Sequence, residues 1–381
     1  METPAPTRRL VWIDWLRVIA VLLIFAFHSG RVFNVGEMFY AKSAETSPLL
    51  TVAVVGFFSL WQMPLLFLLA GMSSYFALGK RTGGRYLKER ALRLLVPFFF
   101  GCLVIVPPQV WYGARTNAGY TESLAQFYVD YFSLKWGPIS DYLGGPSFGH
   151  LWFILYLFIV SAVALPLFLW IRRGPGESIG VRLAGALAKP WSWLVVGLVL
   201  LLSTALPDLG GHNPFTFLVW FVLGFMLVAG DGPLETARRW KWVLLGMGLP
   251  LTWLVAATYD VRDRYPDPSL PIAVNEFGVQ LVGWLLCLAA IGIAMTYLDR
   301  PTKALPYLAE ASYPTYILHQ TVIVVIGFYL VQGLPQPLLS WVVLTAGSIA
   351  VTYGIYEVFV RRWRPMRFLF GMRPKPPGQP G

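Results

Sequence analysis

The chain has 381 residues, 56% of them hydrophobic and only 13% charged, with 16 Trp and 26 Phe. That composition excludes an ordinary soluble domain and points to a multi-pass membrane protein with aromatic belts at the bilayer interfaces. The net charge of +11 raises nucleic-acid binding as a question, and the placement of the charges along the chain answers it.

Ten apolar segments approach the roughly 20 residues that a bilayer crossing needs. They run over 10–32, 50–78, 92–111, 149–171, 191–207, 214–230, 241–258, 274–297, 312–332 and 338–360. The fifth and sixth are short and closely linked. No small-residue cleavage site follows the first, and Arg17 interrupts it, so it reads as an uncleaved span and not a signal peptide. With the N-terminus inside, the inner segments collect 23 of the 30 basic residues, from Arg8 and Arg9 through Lys80–Arg93 to Arg361–Lys375. Each inner segment then obeys the positive-inside rule, and an even number of spans brings both termini to the cytoplasm. The basic excess is topological, so no nucleic-acid partner is expected. The fold expected is all-α and polytopic, with about ten transmembrane helices in the cytoplasmic membrane. Residues 1–365 form the membrane domain, and the Pro-rich 366–381 form a disordered cytoplasmic tail. Cys102 and Cys287 lie in apolar runs with no disulfide or metal-ligand spacing, so neither a disulfide framework nor a metal is expected.

The first span carries Asp14, Arg17 and His28. A charge at the middle of a span costs about 2.5–3.5 kcal/mol on insertion scales, and such residues usually face the protein interior. Arg17 and His28 are eleven residues apart, about three turns plus 20°, so both leave one helix face about 16 Å apart along the axis. Asp14, three residues before Arg17, can pair with its guanidinium. The plainer alternative is mutual neutralisation of Asp14 and Arg17 at the interface, with His28 among headgroups.

Between the third and fourth spans, 112–148 mix Tyr120, Tyr128, Tyr131, Trp136 and Tyr142 with Glu122, Asp130 and Asp141. Aromatic rings beside carboxylates suit a sugar-like ligand, though composition alone favours an interfacial belt. Glu310, Tyr313, Tyr316 and His319 recur every third residue at the start of the ninth span. That stripe reads as helix-packing hydrogen bonds rather than catalysis. His212, in a short turn, has no evident role.

Several stretches, taken together, resemble the membrane-bound acyltransferase 3 family. Arg17 followed after ten residues by His28 matches its signature, with Asp14 at its usual acidic position. Arg90-Ala91-Leu92-Arg93 followed by Pro97 matches its Arg-x-x-Arg pair, and Leu151-Trp152-Phe153-Ile154-Leu155 its entry to the fourth span. Ala311-Ser312-Tyr313-Pro314-Thr315-Tyr316-Ile317-Leu318-His319 resembles its Ser-Tyr-x-x-Tyr-Leu-x-His segment. One departure is Ala70 before Gly71, where the family usually has Ser. The segment from Tyr356-Glu357 to Phe370-Gly371 is similar to the branch associated with succinylating periplasmic glucans.

The resemblance implies transfer of an acetyl or succinyl group from cytosolic acyl-CoA to a hydroxyl of an extracytoplasmic glycan or similar acceptor, within the lipid bilayer and without a metal. Asp14 and His28 would then be catalytic, Arg17, Arg90 and Arg93 would bind the donor, and His150 and Trp152 would bind the acceptor. The chemistry fits: guanidinium forks bind phosphates bidentately, and an imidazole with an ordinary pKa near 6.5 suits proton removal from a hydroxyl. An acyl-histidine intermediate is the other route. A transporter or channel using the Arg17–His28 line is the rival reading, against which stand the lack of an inverted repeat and of paired interrupted helices.

Overall fold

In hydrocarbon every backbone N–H and C=O must be satisfied within its own segment, so apolar runs of this length form α-helices. The computed structural model describes residues 10–133, 141–173, 175–209, 211–258 and 261–373, and no strand occurs among them. Arg8, Arg9, Lys135, Trp136 and Lys375, with 374–381 of the expected tail, lie outside the described residues. The helices are α1 (Val11–Phe33), α2 (Pro48–Leu78), α3 (Gly83–Asn117), α4 (Leu124–Phe132), α5 (Gly149–Ile171), α6 (Gly176–Leu187) and α7 (Ser192–Thr204). There follow α8 (Pro214–Leu227), α9 (Gly232–Ala257), α10 (Leu270–Tyr297), α11 (Leu305–Gly333), α12 (Pro337–Val360) and the short α13 (Arg364–Leu369).

Eight of these are long and apolar enough to cross a membrane, or nine if α6 and α7, bent by 110°, form one broken span. Against the expected ten, the described residues hold eight candidate spans, and the difference falls on the fifth and sixth segments. Helix α7 has 13 residues and α8 has 14, each about 20 Å long against a hydrocarbon core of about 30 Å. The start of α8 is fixed locally: Asn213 accepts from the backbone N–H groups of Phe215 and Thr216, each at 3.0 Å, and Pro214 occupies the first turn.

Although short, α8 is central. A side chain at Gly71 of α2 would collide with the backbone of Phe221 and Phe225, and one at Gly224 with the backbone of Leu68. Small residues thus let α2 and α8 touch along their backbones. Stacked rings at Phe67–Phe217 (4.5 Å) and Phe168–Phe225 (3.8 Å) lock α8 to α2 and α5. In α3, a π-helical turn at Gly101–Ile105 leaves the Ile105 carbonyl to accept from the Thr321 hydroxyl of α11 at 2.7 Å.

The basic connections gather at one end. Trp15 donates to the carbonyl of Arg300 at 3.3 Å, Arg172 donates to that of Tyr75 at 3.3 Å, and Tyr86 donates to Ser74 at 2.9 Å. At the other end Asn117 donates to the carbonyls of Phe39 and Tyr142 at 3.0 and 2.9 Å. There α4 folds the loop onto itself, and Asp130 is occupied by Tyr120 at 2.9 Å and Gln126 at 3.0 Å.

The tail expected from residue 366 onward begins too early. Arg367 is buried and pairs with Glu310 at 2.6 Å, Phe370 is buried against Phe100, and Gly371, at φ 65°, lies against the Arg93 carbonyl and the Tyr313 ring. Residues through Arg373 therefore belong to the packed body. An ion pair with a buried arginine and a buried aromatic ring hold the segment there, and neither shows in its Pro-rich composition.

Candidate active site

At the end away from the basic loops, α1, α2, α8 and the start of α5 enclose a cavity of about 540 Å³. His28, Arg31, Phe39, Tyr142, His150, Trp152 and His212 are among its walls. His28 faces it from the last turns of α1, its ring stacked at 6.1 Å on Phe39. His150 enters from a tight turn at Gly149–Leu151. Gly149 takes φ 49°, and a Cβ there would collide with the Gln109 amide, so only glycine lets the turn aim His150 inward. Trp152 stacks on His212 at 3.8 Å and 22°.

The cluster has a third imidazole. His319, from the middle of α11, is buried, with its ring centre 5.1 Å from that of His28 and 4.9 Å from that of His150. Its Nδ1 lies 2.5 Å from the carbonyl of Tyr316, while Nε2 of His150 lies 2.8 Å from that of Ile317. The Tyr316 hydroxyl in turn donates to the His150 carbonyl, so α11 holds the α5 turn by contacts in both directions. All four histidines of the chain meet at this one place.

The basic end holds a second group. Arg17 bonds Asp14 at 3.1 Å and Ser73 at 3.0 Å. Arg90 bonds Ser74, the next residue, at 2.8 Å, and its guanidinium lies over the Tyr86 ring at 5.3 Å. Consecutive hydroxyls of α2, Ser73 and Ser74, thus each hold one of these arginines. Ala70 contributes its carbonyl, which accepts from Ser74 at 2.7 Å and from Arg90 at 3.4 Å. Arg93 lies at the surface among Arg81, Arg90, Arg373 and Glu89.

The structure thus sorts the residues singled out above into two places. His28, His150 and Trp152 share the cavity; Arg17, Arg90, Arg93 and Asp14 share the basic end. Asp14 is about 21 Å along α1 from His28 and pairs with Arg17 at the basic end. Sequence reasoning missed His319 and His212. A three-residue stripe resembles packing, but four histidines in so apolar a chain carried a signal in their rarity.

The match of a family model decides the identity: the acyltransferase domain of the acyltransferase 3 family covers residues 10–357. The chain belongs to that family. It is 22% identical over 387 aligned residues, 98% of this chain and 97% of the relative, to "Glucans biosynthesis protein C" of Salmonella schwarzengrund (strain CVM19633). The same identity and coverage hold for the proteins of that name from Salmonella heidelberg (strain SL476) and Salmonella typhi. No solved structure matches the chain. The protein is a multi-pass membrane acyltransferase.

Proposed function

We propose that this acyltransferase takes an acetyl or succinyl group from acyl-CoA entering at the basic end and transfers it to a hydroxyl of a glucan or related glycan in the aromatic cavity. The enzyme would lie in the cytoplasmic membrane with the basic end inside. The observation that carries the reading is that one helix joins the two groups, with Arg17 bonded to Ser73 at the basic end, where Ser74 holds Arg90, and, eleven residues on, His28 in the cavity wall. The guanidinium groups of Arg90 and Arg93 suit the CoA phosphates. The span of about 16 Å from Arg17 to His28 suits the elongated thiol arm. The cavity's paired Trp152 and His212 rings suit the apolar face of a sugar, and the name of the Salmonella relatives points to a glucan.

In the reaction, neutral His28 removes the acceptor hydroxyl proton as the oxygen attacks the thioester carbonyl. A C–O bond forms, the C–S bond breaks, and the imidazolium returns its proton to the departing thiolate, releasing CoA. The test is transfer of labelled acyl groups from acetyl-CoA or succinyl-CoA to extracted cell-envelope glucans. His28→Ala should lower turnover by about 10²–10⁴-fold, the usual contribution of a general base. Folding and CoA binding should be kept, because the phosphate contacts lie at the far end of α1. Turnover in His28→Ala above about a tenth of the wild-type value would remove the base from the mechanism.

A further inference from the structure

We propose that His319 positions His28 for catalysis by accepting its Nδ1–H, which leaves the His28 Nε2 lone pair directed at the acceptor hydroxyl. The inference rests on the acyl-transfer reading above and adds a residue to it. Its ground is the hydrogen bonding of three neighbouring rings. A backbone carbonyl only accepts, so the ring nitrogen facing one must carry the proton. His319 faces the Tyr316 carbonyl through Nδ1, and His150 faces the Ile317 carbonyl through Nε2. Both neutral rings are therefore fixed with a bare second nitrogen, Nε2 in His319 and Nδ1 in His150.

Those two bare nitrogens are buried without a hydrogen-bond partner, and so is Nδ1 of His28. Two acceptors cannot satisfy each other. Of the three rings only His28 is free to turn a proton toward the cluster, and the His319 ring is 5.1 Å away between centres. A donor and an acceptor left unpaired in a buried place each cost desolvation, so closure of the His28–His319 contact removes two penalties at once. Catalytic hydrogen bonds are often loose in an unliganded site and tighten when substrate arrives. Phe25, edge-on to His319 at 5.6 Å, supports the ring from α1.

When the acceptor proton moves to Nε2 of His28, its Nδ1–H stays in place, and the bond to His319 becomes charge-assisted and stronger. The proton on Nε2 is the one that later goes to the thiolate, so His319 gains and loses none. It acts as a positioning residue, holding the tautomer and the ring orientation.

The test compares His319→Gln with His319→Phe. The Gln amide oxygen reaches the Nε2 position and accepts a hydrogen bond; the Phe ring fills the space without accepting. Transfer is measured with labelled succinyl-CoA or acetyl-CoA and envelope glucan extract, with CoA binding and melting midpoint as folding controls. His319→Phe should lower kcat by about 10–100-fold, part of a base's usual contribution, with the KM for acyl-CoA unchanged. His319→Gln should retain most of the wild-type kcat. In a His28→Ala background neither substitution should cause a further loss, because residues acting as a unit are non-additive. Wild-type kcat in His319→Phe, or equal losses in the Phe and Gln variants, would overturn the inference. If His319→Phe fails to fold, His319→Leu takes its place in the same comparison. An active His28→Ala would instead sink the base itself, so the two failures are distinguishable.

Discussion

Replacing Glu310 with Ala removes the carboxylate that meets Arg367 at 2.6 Å and accepts from the Tyr356 hydroxyl at 3.4 Å. The Arg367 side chain is 5% exposed and that of Glu310 38%. Breaking a fully buried pair costs about 3–5 kcal/mol because a charge is left uncompensated. Here Glu310 is partly solvated, and Arg367 keeps the carbonyls of Arg361 at 3.3 Å and Arg373 at 2.9 Å, so a cost of about 2 kcal/mol is expected. The loss should be local, releasing 364–373 from α3 and α11, and about 2 kcal/mol corresponds to a roughly 30-fold larger open population. Where reclosing outpaces cleavage, proteolysis follows that population. Chymotrypsin should then cut after Phe368 and Phe370 about 30-fold faster in detergent, read by mass spectrometry. Adding Arg367→Met should bring the rate back toward the wild-type value, since the stranded charge is gone. Equal cleavage of wild type and Glu310→Ala would show that the pair does not hold the segment.

Arg90→Ala with Arg93→Ala should weaken acyl-CoA binding, each charge-assisted contact being worth about 1.5–3 kcal/mol, and should reduce the salt dependence of the affinity. Unchanged affinity by calorimetry would reduce those arginines to a topological signal. Gly71→Ala drives a methyl into the Phe221 carbonyl oxygen and to 2.9 Å from the Phe225 nitrogen. It should cost about 1–3 kcal/mol through overpacking, and an unaltered melting midpoint would contradict the close α2–α8 contact. Burial, and less strongly the Arg31 charge, lower the Lys42 pKa from 10.5 to about 8. Between those values the unfolded chain holds a proton that the folded one has released, so this group's contribution to stability rises with pH across that window. Lys42→Met should abolish that rise, and parallel pH–stability curves for wild type and variant would refute the assignment.

The membrane character, the helical class and the line from Arg17 to His28 were legible in the sequence because each depends on quantities that run along one chain. Hydropathy, segment length, basic-residue placement and the helical repeat require no neighbour. The same quantities say less about 191–207 and 214–230, since hydropathy does not register the Asn213 cap or the 110° bend beside the short helices there. The tail misled for a related reason: burial of Arg367 depends on a carboxylate 57 residues away.

The site divides in the same way. Its residue types and the face of α1 they occupy were set by the sequence alone. That His319 belongs with His28, 291 positions earlier and on another helix, was decided only when α1, α5 and α11 packed. The inward turn at Gly149 and the Tyr316–His150 contact fix how α5 and α11 meet, while close approach at Gly71 and Gly224 seats α8 on α2 at the cavity's side. Helical spacing tells which side chains share a face; which face meets which neighbour follows from packing, where small residues allow contact and buried polar atoms require partners.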